Sequence, residues 1–168
     1  MQMLWLLSLL PSSMASWDDA CIHYNQPTVV PKEEYTAREV EAFAPDSGLG
    51  ATTWYTLISA PDFTPTYNIT AGIAYCVAGG TCLQPHTHTA PEVYYITKGR
   101  ARMTLGDKQR EVKAGDSIFI PGSVTHGIVA LPNDDDGISV NGTAADLEWF
   151  YVYALDGFGQ VVYEKNEE

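Results

Sequence analysis

The feature that most constrains the fold is a series of short β-prone segments that begins near Tyr67. Each segment is rich in β-branched and aromatic residues, and Gly, Pro, Asn or Asp separates it from the next. The segments read YNITAGIAYCV, EVYYITKG, RARMTL, REVKA, SIFIPG, HGIVAL, LEWFYVYAL and QVVYE. Many short strands without a long helical period are typical of a β-sandwich or barrel, so we expect an all-β domain over residues 65–165.

The region before this domain has a different sequence pattern. Residues 17–64 are interrupted by prolines and form an irregular N-terminal extension, in which PKEEYTAREVEAFA (31–44) predicts one short helix. Within residues 1–16, the apolar run MLWLLSLL precedes small residues and is too short to span a bilayer. This segment resembles a signal peptide cleaved after Ala15, although it lacks the usual positive charge. An N-terminal arm packed on the domain is the alternative.

The cellular location stays open between secreted and cytoplasmic. Glycosylation sequons at Asn68 and Asn141 favour secretion. Cys76 and Cys82 flank VAGGT and could form a disulfide across a turn in an oxidising compartment. Buried free thiols are nevertheless expected for the three cysteines, none of which has CxxC spacing.

Composition narrows the class of partner. With 45% hydrophobic residues, the 168-residue chain can bury a sizeable core. The net charge of −12 argues against nucleic acid or an anionic membrane, because phosphate binding depends on clustered Lys and Arg. We therefore expect a small-molecule substrate, with no nucleic-acid and no membrane partner.

A cluster of potential metal ligands lies between two of the β-prone segments. His86 and His88 are separated by one residue, so on a strand both imidazoles point to the same face. Glu92 has the same parity, and His126 is the other histidine downstream. Imidazoles with a nearby carboxylate form a good partial site for a divalent transition metal.

These residues resemble the two motifs of the cupin superfamily. The first motif is filled at every fixed place, by Gly80, His86, His88, Glu92 and Gly99. The second motif is matched by Gly115, Pro121 and His126, but it departs from the pattern at two places. Ser123 stands where a second glycine belongs, with Gly122 one residue early, and Ala130 replaces a terminal Asn.

The resemblance implies a cupin jelly-roll barrel, also called a double-stranded β-helix, behind the irregular N-terminal extension. It further implies that His86, His88, Glu92 and His126 hold one divalent transition metal per chain. Iron is favoured, and manganese, nickel, copper or zinc would suit the same ligands. Asp116 and Pro121 would shape turns between strands.

Such a centre leaves open coordination positions, as catalysis requires. We expect a metal-dependent oxygenase, a dioxygenase-like cupin acting on a small aromatic, enolic or hydroxyketone metabolite. Glu92 and Tyr94 are the candidate catalytic residues, because a phenol beside the metal can move a proton or orient substrate. A Lewis-acid isomerase or lyase and a non-catalytic binding cupin are the alternatives.

Strand alternation predicts which neighbouring side chains face the cavity. Tyr94 should point inward and Tyr95 outward. One face of LEWFYVYAL and two apolar residues should form the core or the pocket wall, namely Leu147, Trp149, Tyr151, Tyr153, Met103 and Ile120. Arg100 and Arg102 should share a solvated face. Because cupin barrels associate through an edge strand or an N-terminal arm, we also expect a homodimer, which sedimentation would test.

Overall fold

The computed structural model describes residues 28–59, 68–77, 79–132, 147–157 and 161–165. The predictions for residues 1–16, for Cys21 and for the sequon at Asn141 lie outside these ranges. Within them, no helix is long and apolar enough to cross a membrane.

The described residues form one short helix and eleven strands. The helix is α1 (Lys32–Tyr35), and the strands are β1 (Glu41–Ala42), β2 (Thr53–Ile58), β3 (Thr70–Cys76), β4 (Thr81–Thr87), β5 (Glu92–Lys98), β6 (Arg100–Leu105), β7 (Lys108–Lys113), β8 (Ser117–Ile120), β9 (His126–Leu131), β10 (Leu147–Tyr153) and β11 (Glu164–Lys165). The helix predicted within residues 31–44 is thus shorter than expected. Its hydrogen bonding ends at Thr36, whose backbone N–H and hydroxyl both donate to the carbonyl of Lys32.

Two antiparallel sheets build the barrel. One has the strand order β1-β2-β3-β10-β5-β8, and the other has the order β11-β4-β9-β6-β7. This arrangement confirms the all-β jelly roll. Two strands of the N-terminal extension, β1 and β2, join the first sheet beside β3, so the extension contributes to the barrel wall.

Alternation along the strands places the core as predicted. Tyr94 and Ile96 of β5 are buried, whereas Tyr95 between them is 46% exposed. The buried face of β10 and two further residues complete the core as expected, namely Leu147, Trp149, Tyr151, Tyr153, Met103 and Ile120. Arg100 and Arg102 share the outer face, where both lie beside Glu111.

Two departures from the expected pattern occur in turns. Cys76 and Cys82 are joined by a disulfide with a Cα–Cα distance of 5.5 Å, so the expectation of free thiols is wrong for this pair. The turn between β3 and β4 brings the two residues within the distance a disulfide requires.

The turn before β9 accommodates the departure from the second motif. Ser123 adopts the left-handed conformation with φ 63°, a conformation that glycine adopts without steric cost. Gly122 is needed for a different reason, which is space: the Cβ of any other residue there would lie 2.2 Å from the carbonyl oxygen of Thr89. The Ser123 N–H donates to the carbonyl of His88 at 2.7 Å, which ties this turn to the histidine segment.

Candidate metal centre

Three histidines converge where the ends of β4 and β9 meet. His86 lies on β4 and pairs directly with His126, the first residue of β9, and His88 follows the end of β4. One ring nitrogen from each lies within 4.8 Å of the others, and all three side chains are buried. We call His86, His88 and His126 the histidine centre.

The backbone fixes which nitrogen of each ring faces the middle of the centre. The Nδ1–H groups of His86, His88 and His126 donate to the carbonyls of Gln84, Ala90 and Val124, at 2.7, 2.9 and 2.8 Å. A carbonyl only accepts, so Nδ1 carries the proton and Nε2 of the neutral ring keeps its lone pair. Each carbonyl lies two residues from its histidine, so this orientation is a local property of the chain.

The opposite nitrogens have no hydrogen-bond partner. Among the described residues, Nε2 of His86, His88 and His126 and both carboxylate oxygens of Glu92 are buried and without such a bond. Leaving so many polar atoms unsatisfied is costly, and one divalent cation would satisfy the converging lone pairs. A carbonyl on the second nitrogen is also the usual support for a metal-binding histidine. The side chains therefore fit a metal ion.

Glu92, the first residue of β5, faces two of the three rings. Its Oε2 lies 3.5 Å from Nε2 of His88 and 3.4 Å from Nε2 of His126. Burial alone raises the pKa of Glu92, but the two facing imidazoles outweigh burial and hold that pKa below its ordinary value. The carboxyl group is therefore ionised at neutral pH.

The electrostatics of the centre also disfavour a protonated histidine. Burial first, and then the neighbouring His126, lower the pKa of His86 from 6.5 to about 4. At neutral pH the ring is uncharged, which is the form that binds a metal.

A mostly aromatic cavity adjoins Glu92. It is lined by Phe43, Thr52, Trp54, Ala74, Leu83, Glu92, Tyr94, Trp149, Tyr151, Tyr153 and Tyr163. The cavity volume is only about 20 Å³, room for about one water molecule. A larger ligand beside Glu92 therefore requires the lining side chains to move. No Lys or Arg among the described residues lines this cavity, so this part of the wall offers no cationic partner for a phosphate.

Tyr94 and Tyr153 bring phenol groups next to Glu92. Both are fully buried, and burial followed by the charge of Glu92 holds the pKa of each well above its ordinary value. Tyr153 pairs with Glu92 across β10 and β5, and its hydroxyl lies 3.4 Å from that of Tyr163. Both phenols are therefore neutral at neutral pH.

Sequence reasoning missed some residues near the centre. Tyr163, just before β11, lies against the rings of His86 and His88, with centroid distances of 5.1 and 5.9 Å. Phe43 packs on both Tyr163 and Trp54. Phe43 and Tyr163 come from opposite ends of the described chain and belong to no sequence motif. Tyr163 reaches the histidine rings because β11 pairs with β4.

The predicted site residues therefore lie together. The structure gathers His86, His88 and His126 into a cluster able to hold a metal ion, with Glu92 facing two of the rings. Tyr94 lines the adjoining cavity, as its parity predicts. The ligand role of Glu92 and the catalytic role of Tyr94 stay predictions.

Comparisons with known proteins agree with the fold. Residues 74–136 match the sequence model of the cupin domain family. Dimethylsulfoniopropionate lyase DddW of Ruegeria pomeroyi is 37% identical over 87 residues, which cover 52% of this chain and 56% of the lyase. The chain spans about half the length of the curated relatives it matches, between 45% and 56%.

Solved structures show the same fold at lower identity. The polyketide cyclase RemF from Streptomyces resistomycificus superposes with a TM-score of 0.59 and 21% identity, covering 80% of this chain and 83% of the cyclase. A structure reported with the DMSP lyases RdDddP and RnDddQII has a TM-score of 0.58 and 16% identity, covering 77% of this chain and 62% of that one.

Proposed function

Because this chain belongs to the cupin superfamily, we propose that it is a metal-dependent lyase that eliminates a leaving group from a small carboxylate. Its similarity to dimethylsulfoniopropionate lyase DddW suggests the substrate class, an aliphatic acid with a positively charged sulfonium leaving group. The histidine centre and Glu92 would hold the metal, which would act as a Lewis acid on the substrate carboxylate.

The observation that carries the proposal is the composition of the cavity wall. Seven aromatic side chains and the Glu92 carboxylate line it, and within the described ranges no Lys or Arg does. Aromatic faces attract organic cations, with about 0.5–2 kcal/mol per favourable contact. A trialkylsulfonium is a cation that has no N–H or O–H group, whereas a sugar phosphate needs cationic or hydrogen-bond-donating partners, so this wall suits the sulfonium better.

The reaction needs one proton transfer. A base removes a proton from the carbon next to the carboxylate, and the C–H electrons form a carbon–carbon double bond. The bond from the β-carbon to sulfur breaks, and the sulfide leaves with its electron pair. From dimethylsulfoniopropionate the products are dimethyl sulfide, acrylate and one proton.

We assign the base to the phenolate of Tyr94, because this side chain is buried in the cavity wall on the same strand as Glu92. The phenol would first have to lose its own proton to solvent, which a divalent cation held nearby would favour against the effect of burial. The phenolate then takes the substrate proton and releases it to solvent as the product proton.

Oxygen dependence separates this function from the oxygenase predicted from the sequence. The elimination consumes no oxidant, whereas an oxygenase requires dioxygen. The protein is supplied with iron, manganese, nickel, copper or zinc in turn and incubated with dimethylsulfoniopropionate, with and without oxygen. We expect dimethyl sulfide and acrylate in equal amounts under both conditions. Turnover only with oxygen, or no turnover with any metal, would contradict the lyase.

Two adjacent tyrosines provide a matched test of the base. Tyr94→Phe removes the hydroxyl from the cavity, and we expect kcat to fall about 10²–10⁴-fold, the usual contribution of a positioned acid or base. Tyr95→Phe alters the next residue, which faces outward and is 46% exposed, and should leave kcat unchanged. Equal activity of the two variants would exclude Tyr94 from the proton transfer.

A further inference from the structure

The outer surfaces of the two sheets differ in charge. On the second sheet, β6 and β7 place Arg100, Arg102 and Glu111 on the surface as ion pairs. On the first sheet, two adjoining rows of outward side chains carry no charge. They are Val152, Val93 and Phe119 in one row, and Ile73, Phe150, Tyr95 and Ser117 in the other. We call these two rows the uncharged face.

Exposure on the uncharged face is greatest at Phe119. Its side chain is 65% exposed, compared with 37% for Val93, which pairs with it across β8 and β5. Among the described residues β8 is the last strand of its sheet, so no further strand flanks this ring. Removing apolar surface from water is favourable, and a contiguous exposed apolar patch marks an interaction site.

An apolar groove lies beside the exposed ring. It has a volume of about 210 Å³ and is lined mainly by Ile69, Pro91, Val93, Phe119, Val152 and Ala154. An apolar cavity of about 150 Å³ is large enough to hold benzene. The groove therefore has room for one phenyl ring.

We propose that the uncharged face joins two copies of this chain, with Phe119 of each copy inserted into the groove of the other. In a two-fold symmetric dimer the same patch meets itself, so the patch must offer a protrusion and a matching recess. Phe119 and the groove provide both, side by side. The homodimer expected from the sequence thereby has a defined surface.

Charge and size favour a second copy as the occupant. The chain has a net charge of −12, and two copies can approach through this face without opposing carboxylates in the two rows. The rows cover about 20 Å by 15 Å, or about 300 Å², as large as the largest apolar patch on many monomers. A stable dimer buries about 800 Å² per copy, so the uncharged face would form the centre of the interface, inside a polar rim. We expect a dissociation constant on the order of 1–10 µM.

The groove also adjoins the candidate metal centre. Glu92 and Tyr153 line both the groove and the inner cavity, so these two residues separate one from the other. A ring in the groove would lie against the outer side of the wall that contains Glu92. The dimer itself requires neither a metal nor the elimination reaction, so its test is independent of the proposed function.

Sedimentation equilibrium of the full chain, between roughly 1 and 100 µM, measures the association. Phe119→Ser removes the inserted ring, and we expect the dissociation constant to rise at least about 30-fold, as for a central aromatic anchor. Val77→Ser is the matched control and should leave the association unchanged. Val77 is 66% exposed, but it follows the end of β3 that is remote from the groove residue Ile69.

A mixing experiment tests the insertion of the ring directly. Val93→Trp fills the groove with a bulky side chain, so this variant should not associate with itself. It still carries Phe119, and Phe119→Ser still has an open groove. A mixed dimer of the two variants therefore keeps one complete contact, and we expect the mixture to associate more tightly than either variant alone.

The outcomes decide the proposal, with the melting temperature of each variant confirming that it is folded. A wild-type dimer that is weakened in Phe119→Ser, kept in Val77→Ser and partly restored by mixing supports it. A wild-type monomer at every concentration, or equal association of Phe119→Ser and Val77→Ser, overturns it. A mixture that associates no better than its components overturns the insertion of Phe119 into the groove.

Discussion

The two parts of the candidate site satisfy their polar groups in opposite ways. In the histidine centre, three Nε2 atoms converge beside Glu92 without a hydrogen bond among the described residues. At the Tyr151 position, the Glu41 carboxylate accepts three hydrogen bonds and its proton donors have fixed directions. The first part is incomplete without an ion. In the second, the three donors to the Glu41 carboxylate come from the protein itself.

This difference predicts that metal binding depends on the histidine centre and Glu92 alone. The loss of metal from variants of these residues is the largest effect that we expect. His88→Ala or Glu92→Gln should weaken metal binding more than about 100-fold while the barrel stays folded, because each removes a group that faces the ion. Tyr151→Phe should leave the metal content unchanged. Elemental analysis after dialysis, expressed as metal per chain, measures both effects.

Glu111→Gln is the control for Glu92→Gln, since Glu111 is an exposed carboxylate on the outer face. Full metal occupancy in the Glu92 and His88 variants would show that the assigned ligands are wrong. Metal loss in Tyr151→Phe would show that the two parts are not independent.

A second prediction concerns the metal-free protein in acid. The pKa of His86 is about 4 in the folded chain and 6.5 without the fold, so between these values the unfolded chain binds the extra proton. The neutral His86 ring contributes about 3 kcal/mol to the free energy of unfolding above pH 6.5, and this contribution is lost as the pH falls towards 4. Below about pH 4.5, protonation of Glu92, whose pKa is also lowered, reduces the free energy of unfolding further.

Urea unfolding of chelator-treated protein between pH 7 and 4.5 measures this loss. His86→Gln has no group that titrates at this position, so its stability should change less over the same interval. Identical pH dependence in the variant and the wild type would mean that the ring is not kept neutral by the fold.

The same two parts differ in how far the sequence predicts them. Each histidine is oriented by a carbonyl two residues away, and a short motif can encode such local geometry. The contacts of Thr56 with Glu41 and Tyr151 join residues separated by 15 and 95 positions. These contacts depend on the order of β1, β2, β3 and β10 in the sheet, and strand alternation alone does not specify that order.

Other differences from the sequence predictions have the same origin. Alternation correctly placed Tyr94 inside and Tyr95 outside, because the period of a strand is a local property. For Cys76 and Cys82 the disulfide was the alternative to the expected free thiols, since its formation depends on how the turn after β3 returns to β4. Tyr163 was missed because only the pairing of β11 with β4 brings it to the histidines.

The smallest expected effect lies at the glycine that gives Tyr151 its space. In Gly72→Ala the new Cβ would lie 2.4 Å from both the Tyr151 hydroxyl and the backbone oxygen of Tyr55, so the phenol and β2 must both move. Such overpacking costs about 1–3 kcal/mol, which chemical unfolding would measure. Because the histidine centre lies where the ends of β4 and β9 meet, metal content should be retained. Loss of metal would show that the sheet transmits a change at β3 to the histidine centre, and the two parts would then form one unit.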